Sequence, residues 1–394
     1  MITTSLLWRG DNQHTLRALL PELAGRVRCV YLDPPYNTGA AQKGGEAGYA
    51  DTMPREIWRA FIAERLELCR ALLTEDGSLW VQLDDNELDV TKLVLDELFG
   101  RAQFIARVTV EARAPSAFST VNKGLFKSSE YLLWYARDRQ RLRFNPQRVP
   151  CERDRMYNLF VQNPEDPPAA WRLTRLQDAA AAQRVSVDAL VLSAPERVAR
   201  LASIHPVKAG RAILEAKARS VVDPDQVIVV HREAHPDQLV LRGQQLILYD
   251  KQVSVIDGQR TPSRPLTNIW TDIAWEGIAA EGGARYKEGK KPERLLRRVL
   301  QLSTDPGDWV LDPFMGSGTT PAVAAKMGRR FVGLEQGPVF EVAVARLERV
   351  LAGQDPTGVS RAEGYGGGGD VLEVRRAPPT AHNGGMAGGG SSPA

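Results

Sequence analysis

Cysteine is scarce in this sequence: Cys29, Cys69 and Cys151 are the only three in 394 residues. Their odd number and wide spacing exclude a disulfide framework and give no zinc-binding pattern, and reduced thiols point to a cytoplasmic setting. Long apolar runs are also missing. No stretch approaches the roughly 20 residues that span a bilayer, so no membrane partner is expected. Residues 1–20 lack a charged start followed by an apolar core, and no secretory signal is read there. No internal repeat is visible.

What remains is 43% hydrophobic and 25% charged, a globular composition in a chain longer than one typical domain. The net charge of +3 is unevenly spread. Residues 101–220 hold 21 Lys/Arg against 11 Asp/Glu, a surplus of 10, which leaves the remainder near −7. A basic middle within an acidic remainder fits a nucleic-acid-facing segment, although chance bias on a solvated surface gives the same count.

Four regions follow from patterning. In residues 1–104, Val27 to Leu32 and Ser78 to Leu83 read as strands, and Ile57 to Leu73 and Glu87 to Phe99 as helices. That alternation predicts a parallel α/β sheet. Residues 105–284 lose the rhythm: Ala179 to Ala182 and Val198 to Ala218 read as helical, Val227 to Val230 and Gln245 to Tyr249 as short strands. Residues 285–352 resume it, with helices over Glu293 to Leu302, Thr319 to Met327 and Val339 to Leu351 and strands over Trp309 to Leu311 and Phe331 to Leu334. Residues 353–394 are rich in Gly, Pro and Ser and are expected to be disordered. A sheet assembled from both ends of the chain, with the basic middle inserted, is the expected architecture.

Two motifs carry chemistry. The first, Asp33-Pro34-Pro35-Tyr36, ends the strand over Val27 to Leu32. A base amine is a poor nucleophile because its lone pair is delocalised into the ring. Accepting hydrogen bonds from its two N–H groups activates it, and a carboxylate (Asp33) and a carbonyl (Pro34) on a loop stiffened by Pro35 can do so. Tyr36 is a stacking platform for a flipped base. An ordinary Asp-Pro turn is the alternative. The second motif runs from Asp312 to Thr320. Gly316 and Gly318 allow close approach of a ligand, and the following helix offers free N–H groups. The loop lacks the lysine of a phosphate-binding P-loop. The next strand ends in Glu335, a carboxylate placed to take the two hydroxyls of a ribose. A packing pair of glycines with a solvent-facing Glu335 is the alternative.

The chain resembles the amino-methylating DNA methyltransferases of the β arrangement, in which the catalytic motif precedes the cofactor motif, and among them the modification subunits of type III restriction systems. The resemblance covers about residues 5–145 and 265–350. It rests on Gly10-Asp11-Asn12, Asp33 to Gly39, Gly77-Ser78 running into Asp84-Asp85-Asn86-Glu87, Ser129 to Leu133, Lys291-Pro292 and Leu311 to Thr320. It implies a doubly wound, Rossmann-like methyltransferase sheet of circularly permuted order, with an inserted target-recognition domain, and S-adenosylmethionine as cofactor. Asp11 would receive the cofactor's adenine amine, Glu335 its ribose, and Phe314, Gly316, Ser317, Gly318 and Thr319 its methionine end. Lys291 would lie near its carboxylate, and Asp312 ends the strand beneath. A helix cap for Asp11 and a surface charge for Lys291 remain open. The acids Asp84 to Glu87 are read as a helix cap and active-site rim rather than a metal site.

In the inserted region Lys123, Lys127, Arg139 and Arg141 are candidate phosphate contacts, although Arg139, Arg141 and Arg143 also suit the wet face of a strand. The expected reaction is methyl transfer to N6 of adenine in double-stranded DNA. The alternatives are N4 of cytosine and a DNA-binding modification subunit that acts only with a partner. Methylation of a ring carbon needs a cysteine nucleophile, whereas direct transfer to nitrogen needs none of the three cysteines; the one Pro-Cys pair, Pro150-Cys151, lies in the basic middle and outside both motifs. A second copy of the chain and a restriction subunit are the protein partners the resemblance allows.

Overall fold

The computed structural model describes residues 2–37, 53–113, 124–233, 235–256, 258–275, 277–283, 290–369 and 371–376. Thr38, Gly39 and Lys123 lie outside them. The chain forms two compact units, residues 1–145 with 267–394, and residues 146–266.

The larger unit is built on nine strands: β1 (Ser5–Arg9), β2 (Val27–Leu32), β3 (Leu73–Leu83), β4 (Phe104–Glu111), β5 (Ser129–Ala136), β6 (Ile269–Trp270), β7 (Trp309–Asp312), β8 (Arg330–Glu335) and β9 (Leu372–Arg376). They lie in the order β6-β4-β5-β3-β2-β7-β8-β1-β9. Every neighbouring pair is parallel except those that β5 makes with β3 and β4. The central strands are mostly apolar, as suits strands covered on both faces: β2 is buried at all six positions, with Arg28 the one charged residue among them. The helices are α1 (Asn12–Leu23), α2 (Arg55–Leu72), α3 (Leu88–Phe99), α4 (Glu293–Ser303), α5 (Thr319–Lys326) and α6 (Val339–Leu351). Connections from β1, β2 and β3 step along the sheet one way and those from β7 and β8 the other. Right-handed crossovers then set α1 to α3 on one face and α4 to α6 on the other, the doubly wound arrangement.

The direction of stepping reverses between β2 and β7, which are hydrogen-bonded neighbours. In open α/β sheets the crevice at such a reversal, beyond the carboxyl ends of the strands, is where ligands bind. Asp33 follows β2 directly and Asp312 ends β7, so the fold brings both motifs to that crevice.

Three expectations need correction. First, residues 198–218 are not one helix. Val198–Ser203 is a strand and Arg211–Val222 a helix, separated by the helix-breaking His205-Pro206. Second, the glycine-rich segment after residue 353 is partly ordered. Val359 and Ser360 are buried, Gly353 and Gly367 touch backbone to backbone where no side chain fits, and β9 covers the edge of β1. Third, the expected insertion of 105–284 is wider than the second compact unit, because β4, β5 and β6 belong to the main sheet.

The second unit carries an antiparallel six-stranded sheet and a three-stranded one. Tyr157, Phe160, Leu176, Val191, Val198 and Tyr249 form one of its cores. Its strands Gln238–Leu241 and Gln244–Leu248 are joined by Arg242-Gly243, both at positive φ, as a two-residue hairpin with the sheet's twist requires.

Candidate active site

The loop after β2 is held from several sides. Trp58 Nε1 donates to the Pro35 carbonyl at 3.2 Å. Asn37, at φ 53°, donates from Nδ2 to the Met53 carbonyl and to Glu87 Oε1 at 2.9 and 2.8 Å, and accepts from Met53 N at 2.7 Å. Glu87 therefore supports the rim, but its side chain does not cap α3; its carboxylate is taken by Asn37. Asp84 closes a local turn by accepting from Asn86 N at 2.9 Å. Among the described residues no hydrogen bond reaches the Pro34 carbonyl, which leaves it available as an acceptor.

Asp33 is partly buried. Its Oδ1 accepts from the Tyr36 hydroxyl at 2.8 Å, and its Oδ2 lies 3.0 Å from Lys291 Nζ. Burial pushes the Asp33 carboxyl up from its ordinary range, against the pull of Lys291. Burial alone would depress Lys291, but the Asp33 and Glu130 carboxylates outweigh it and hold the ammonium protonated. Lys291 is thus tied to the first motif, and its neighbour Lys290 joins it in lining the crevice with Asp33, Asp312, Phe314, Gly316, Ser317 and Thr319.

The second motif is a turn that needs its glycines. Gly316 and Gly318 have φ of 50° and 77°, a region costly for other residues. A Cβ at Gly316 would meet no atom of the described residues within 4 Å, so that side of the loop is open to the crevice. Asp312 accepts from Phe314 N at 3.0 Å. Burial outweighs this bond and the one from Thr320, and raises the Asp312 carboxyl to about 7. The folded protein therefore holds this proton more tightly than the unfolded chain does. The associated stability is complete below the usual carboxylate range and is lost as pH rises through about 7, with an upper bound of ~4 kcal/mol. Asp312→Asn is expected to flatten the decline in urea-unfolding free energy between pH 5 and pH 8; a slope equal to the wild type's would refute the assignment.

Glu335 is buried, which raises its carboxyl, and its oxygens accept backbone N–H groups from Gly316 at 3.2 Å and Gly337 at 2.7 Å, with the Gln336 N–H as a third donor. It stands opposite Arg9 at the end of β1, from which the chain turns into Asp11. Asp11 caps α1, accepting from Gln13 N and His14 N at 2.9 and 3.2 Å, and lies 3.5 Å from Arg65. The buried Asn12 beside it donates to the Pro313 carbonyl at 2.9 Å and so ties the first turn of α1 to the second motif.

The candidate phosphate contacts divide by strand direction. Because β5 runs against β3, the segment before it lies at the crevice edge of the sheet and the segment after it at the far edge. Lys127 precedes β5 and pairs with Asp85 at 3.6 Å. Arg139 and Arg141 follow β5. Arg139 donates to the Phe104 carbonyl and Arg141 pairs with Glu75, at the edge opposite Asp33. These two are therefore not beside the crevice, and they sit in a turn rather than on a strand face.

Glu130, Gln82, Asn12 and Lys290 escaped the motif reading as site residues. Glu130 had a signal, an acid inside the apolar run of Tyr131-Leu132-Leu133.

Residues 27–344 match the DNA methylase family. The chain belongs to that family. It is similar to the protein named probable type III restriction-modification enzyme HindVI Mod subunit of Haemophilus influenzae, 29% identical over 95% of this chain and 54% of that protein. It is also similar to the type II methyltransferase M.EcaI of Enterobacter cloacae, 23% identical over 91% of this chain and 72% of the other. The chain spans about half the length of the Mod subunits it matches. Among solved structures, the M1.HpyAVI–SAM complex aligns over 87% of this chain and 98% of its own at 12% identity, with a TM-score of 0.43.

Proposed function

We propose that this DNA methylase transfers a methyl group from S-adenosylmethionine to the N6 amine of adenine in double-stranded DNA, acting on a base turned out of the duplex. The observation that carries the reading is the meeting of Asp33-Pro34-Pro35-Tyr36 and Asp312 to Thr319 at the ends of adjacent parallel strands. The donor set fits the cofactor. The Phe314 to Thr319 loop has an open, glycine-lined side, Lys290 supplies a cation, and Glu335, with about four acceptor sites, has one left for a ribose hydroxyl after taking three amides. Asp11 retains a partly exposed carboxylate for the adenine amine.

When bound, the cofactor supplies an electrophilic methyl group whose departure leaves a neutral thioether. The Asp33 carboxylate and the Pro34 carbonyl take the amine's two hydrogens, so that nitrogen can present its lone pair. The proton lost from nitrogen as the N–C bond forms passes by way of Asp33 to solvent. Burial of Cys29 and Cys69 drives their thiols well above the ordinary range and suits a route with no cysteine nucleophile. Tyr36, with its hydroxyl on Asp33, presents its ring beside that carboxylate as a stacking surface. We assign sequence recognition to residues 146–266, with Lys127, ahead of β5 at the crevice edge, and Lys123 as phosphate contacts. A restriction subunit and a second copy of the chain are proposed partners.

Purified protein incubated with S-adenosylmethionine and unmethylated DNA, followed by mass spectrometry of the nucleosides, is expected to yield N6-methyladenine. N4-methylcytosine would correct the base and keep the mechanism, and no methylated nucleoside with cofactor bound would overturn the reading. Glu335→Ala is expected to weaken cofactor binding about tenfold or more by calorimetry. An unchanged dissociation constant would remove the ribose assignment.

A further inference from the structure

Asp33 shares its surroundings with a second carboxylate. Glu130, at the start of β5, is buried, and its Oε2 lies 3.5 Å from Lys291 Nζ, which is itself 3.0 Å from Asp33 Oδ2. The Tyr36 hydroxyl lies 2.8 Å from Asp33 Oδ1 and 3.0 Å from Glu130 Oε2, and with one proton it donates to only one of them at a time. Gln82 Nε2 also donates to Glu130 Oε2, while its carbonyl accepts from the buried Tyr31 hydroxyl. Two carboxylates thus share one ammonium and one phenol proton where water is scarce. Left alone, such a pair retains a proton between its members. An acceptor for an amine must be ionised beforehand and released when the amine arrives.

We propose that Lys291 and Glu130 are positioning residues for amine acceptance: Lys291 keeps Asp33 ionised in the resting site, and Glu130 retains Lys291 when the Asp33 carboxylate accepts the amine's hydrogen. This rests on the reading of Asp33 as the amine acceptor. Lys291 already touches both carboxylates, so the transfer is a shift of hydrogen bonds rather than a movement of chain. Glu130 is held for it by Gln82 and Tyr36. Among the described residues Tyr31, at the end of β2, and Asp312 from β7 also face Asp33; both side chains are kept in either variant, although Tyr31 also feels the Glu130 charge.

The test follows the Asp33 carboxyl directly. Protein carrying 13C at the aspartate carboxyls is titrated without cofactor or DNA, with the Asp33 resonance assigned by its loss in Asp33→Asn. Lys291→Met is expected to raise the Asp33 midpoint by about one pH unit or more, because the compensating charge is gone. Glu130→Gln is expected to lower it, because a like charge is gone. Lys291→Arg, which keeps the charge, brings the midpoint back toward that of the wild type. Unmoved midpoints, or shifts in the same direction for Lys291→Met and Glu130→Gln, overturn the proposal. Since the titration needs no turnover, it judges these roles even if the wild type methylates nothing, an outcome that would count against the functional reading instead.

In the methylation assay, the acid limb of kcat is expected to move to higher pH in Lys291→Met. Glu130→Gln is expected to lower kcat about tenfold while the KM for DNA stays within about twofold. A uniform loss at every pH with no displaced limb would mark both residues as merely structural and overturn the proposal.

Discussion

Asp33→Ala is expected to lower methyl transfer by about 10³-fold, ~4 kcal/mol in the barrier, with the cofactor dissociation constant changed by no more than about twofold. The size follows from what is removed: the charged member of the two acceptors that prepare the amine. The Pro34 carbonyl remains, and alone it can hold one of the two hydrogens. The selectivity follows from placement. Asp33 belongs to the loop after β2, whereas the open glycine loop and Glu335 belong to β7 and β8. The fold tolerates the change because Lys291 and Tyr36 keep Glu130 as a partner. Single-turnover rates and calorimetry on one preparation decide the matter. Joint loss of transfer and binding would make Asp33 a structural residue, and retained transfer would place the acceptor elsewhere.

The second large effect concerns stability. Glu293, Lys326 and Arg346 have side chains with 0% exposure. Glu293 accepts both of its oxygens' worth from Lys326, at 3.0 and 2.8 Å, along with Arg346 Nη2 at 2.7 Å and Val359 N at 3.0 Å. Arg346 in turn donates to Thr319 Oγ1 at 2.9 Å and the Ser317 carbonyl at 3.3 Å, so the cluster braces the cofactor loop from behind. Removing one member of a buried ion pair leaves its partner charged in a poor solvent, at a cost of about 3–5 kcal/mol. Glu293→Gln leaves two cations, with Asp355 paired to Lys326 and Glu281 facing Arg346 as the nearby acids. The thermal midpoint of the larger unit is expected to fall by about 5–9 °C. Glu341→Gln, which breaks only exposed pairs with Arg9 and Arg376, serves as the control and should cost about 1 kcal/mol or less. Equal shifts for the two variants would show that the buried cluster contributes nothing special.

Much of the main sheet was legible because its signals are local. The mostly apolar run of Val27 to Leu32 and the 3.6-residue spacing from Ile57 onward each name an element without reference to the rest of the chain. The placement of Asp33 and Asp312 was legible for the same reason, since each follows a strand. What stayed hidden depends on partners distant in sequence. Lys291 gives no local sign that it will meet Asp33 and Glu130. Arg139 and Arg141 look like wet strand positions until the antiparallel course of β5 carries them to the far edge. The glycines at 353 and 367 read as disorder, yet their lack of side chains is what lets two backbones touch. Val198 to Ala218 misled because its apolar spacing suits a helix as well as a strand followed by a helix, and only the break at Pro206 separates them.

The reversal between β2 and β7 also sets a timetable. Asp33 leaves the ribosome early, but its neighbouring strand β7 and the loop at Gly316 are made only after the whole second unit. At ~5–20 residues per second that interval lasts tens of seconds. Throughout it β2 has one hydrogen-bonding edge without its final partner, and the crevice does not exist. The nascent protein therefore has no working site to expose to nearby DNA until β7 is made and pairs with β2.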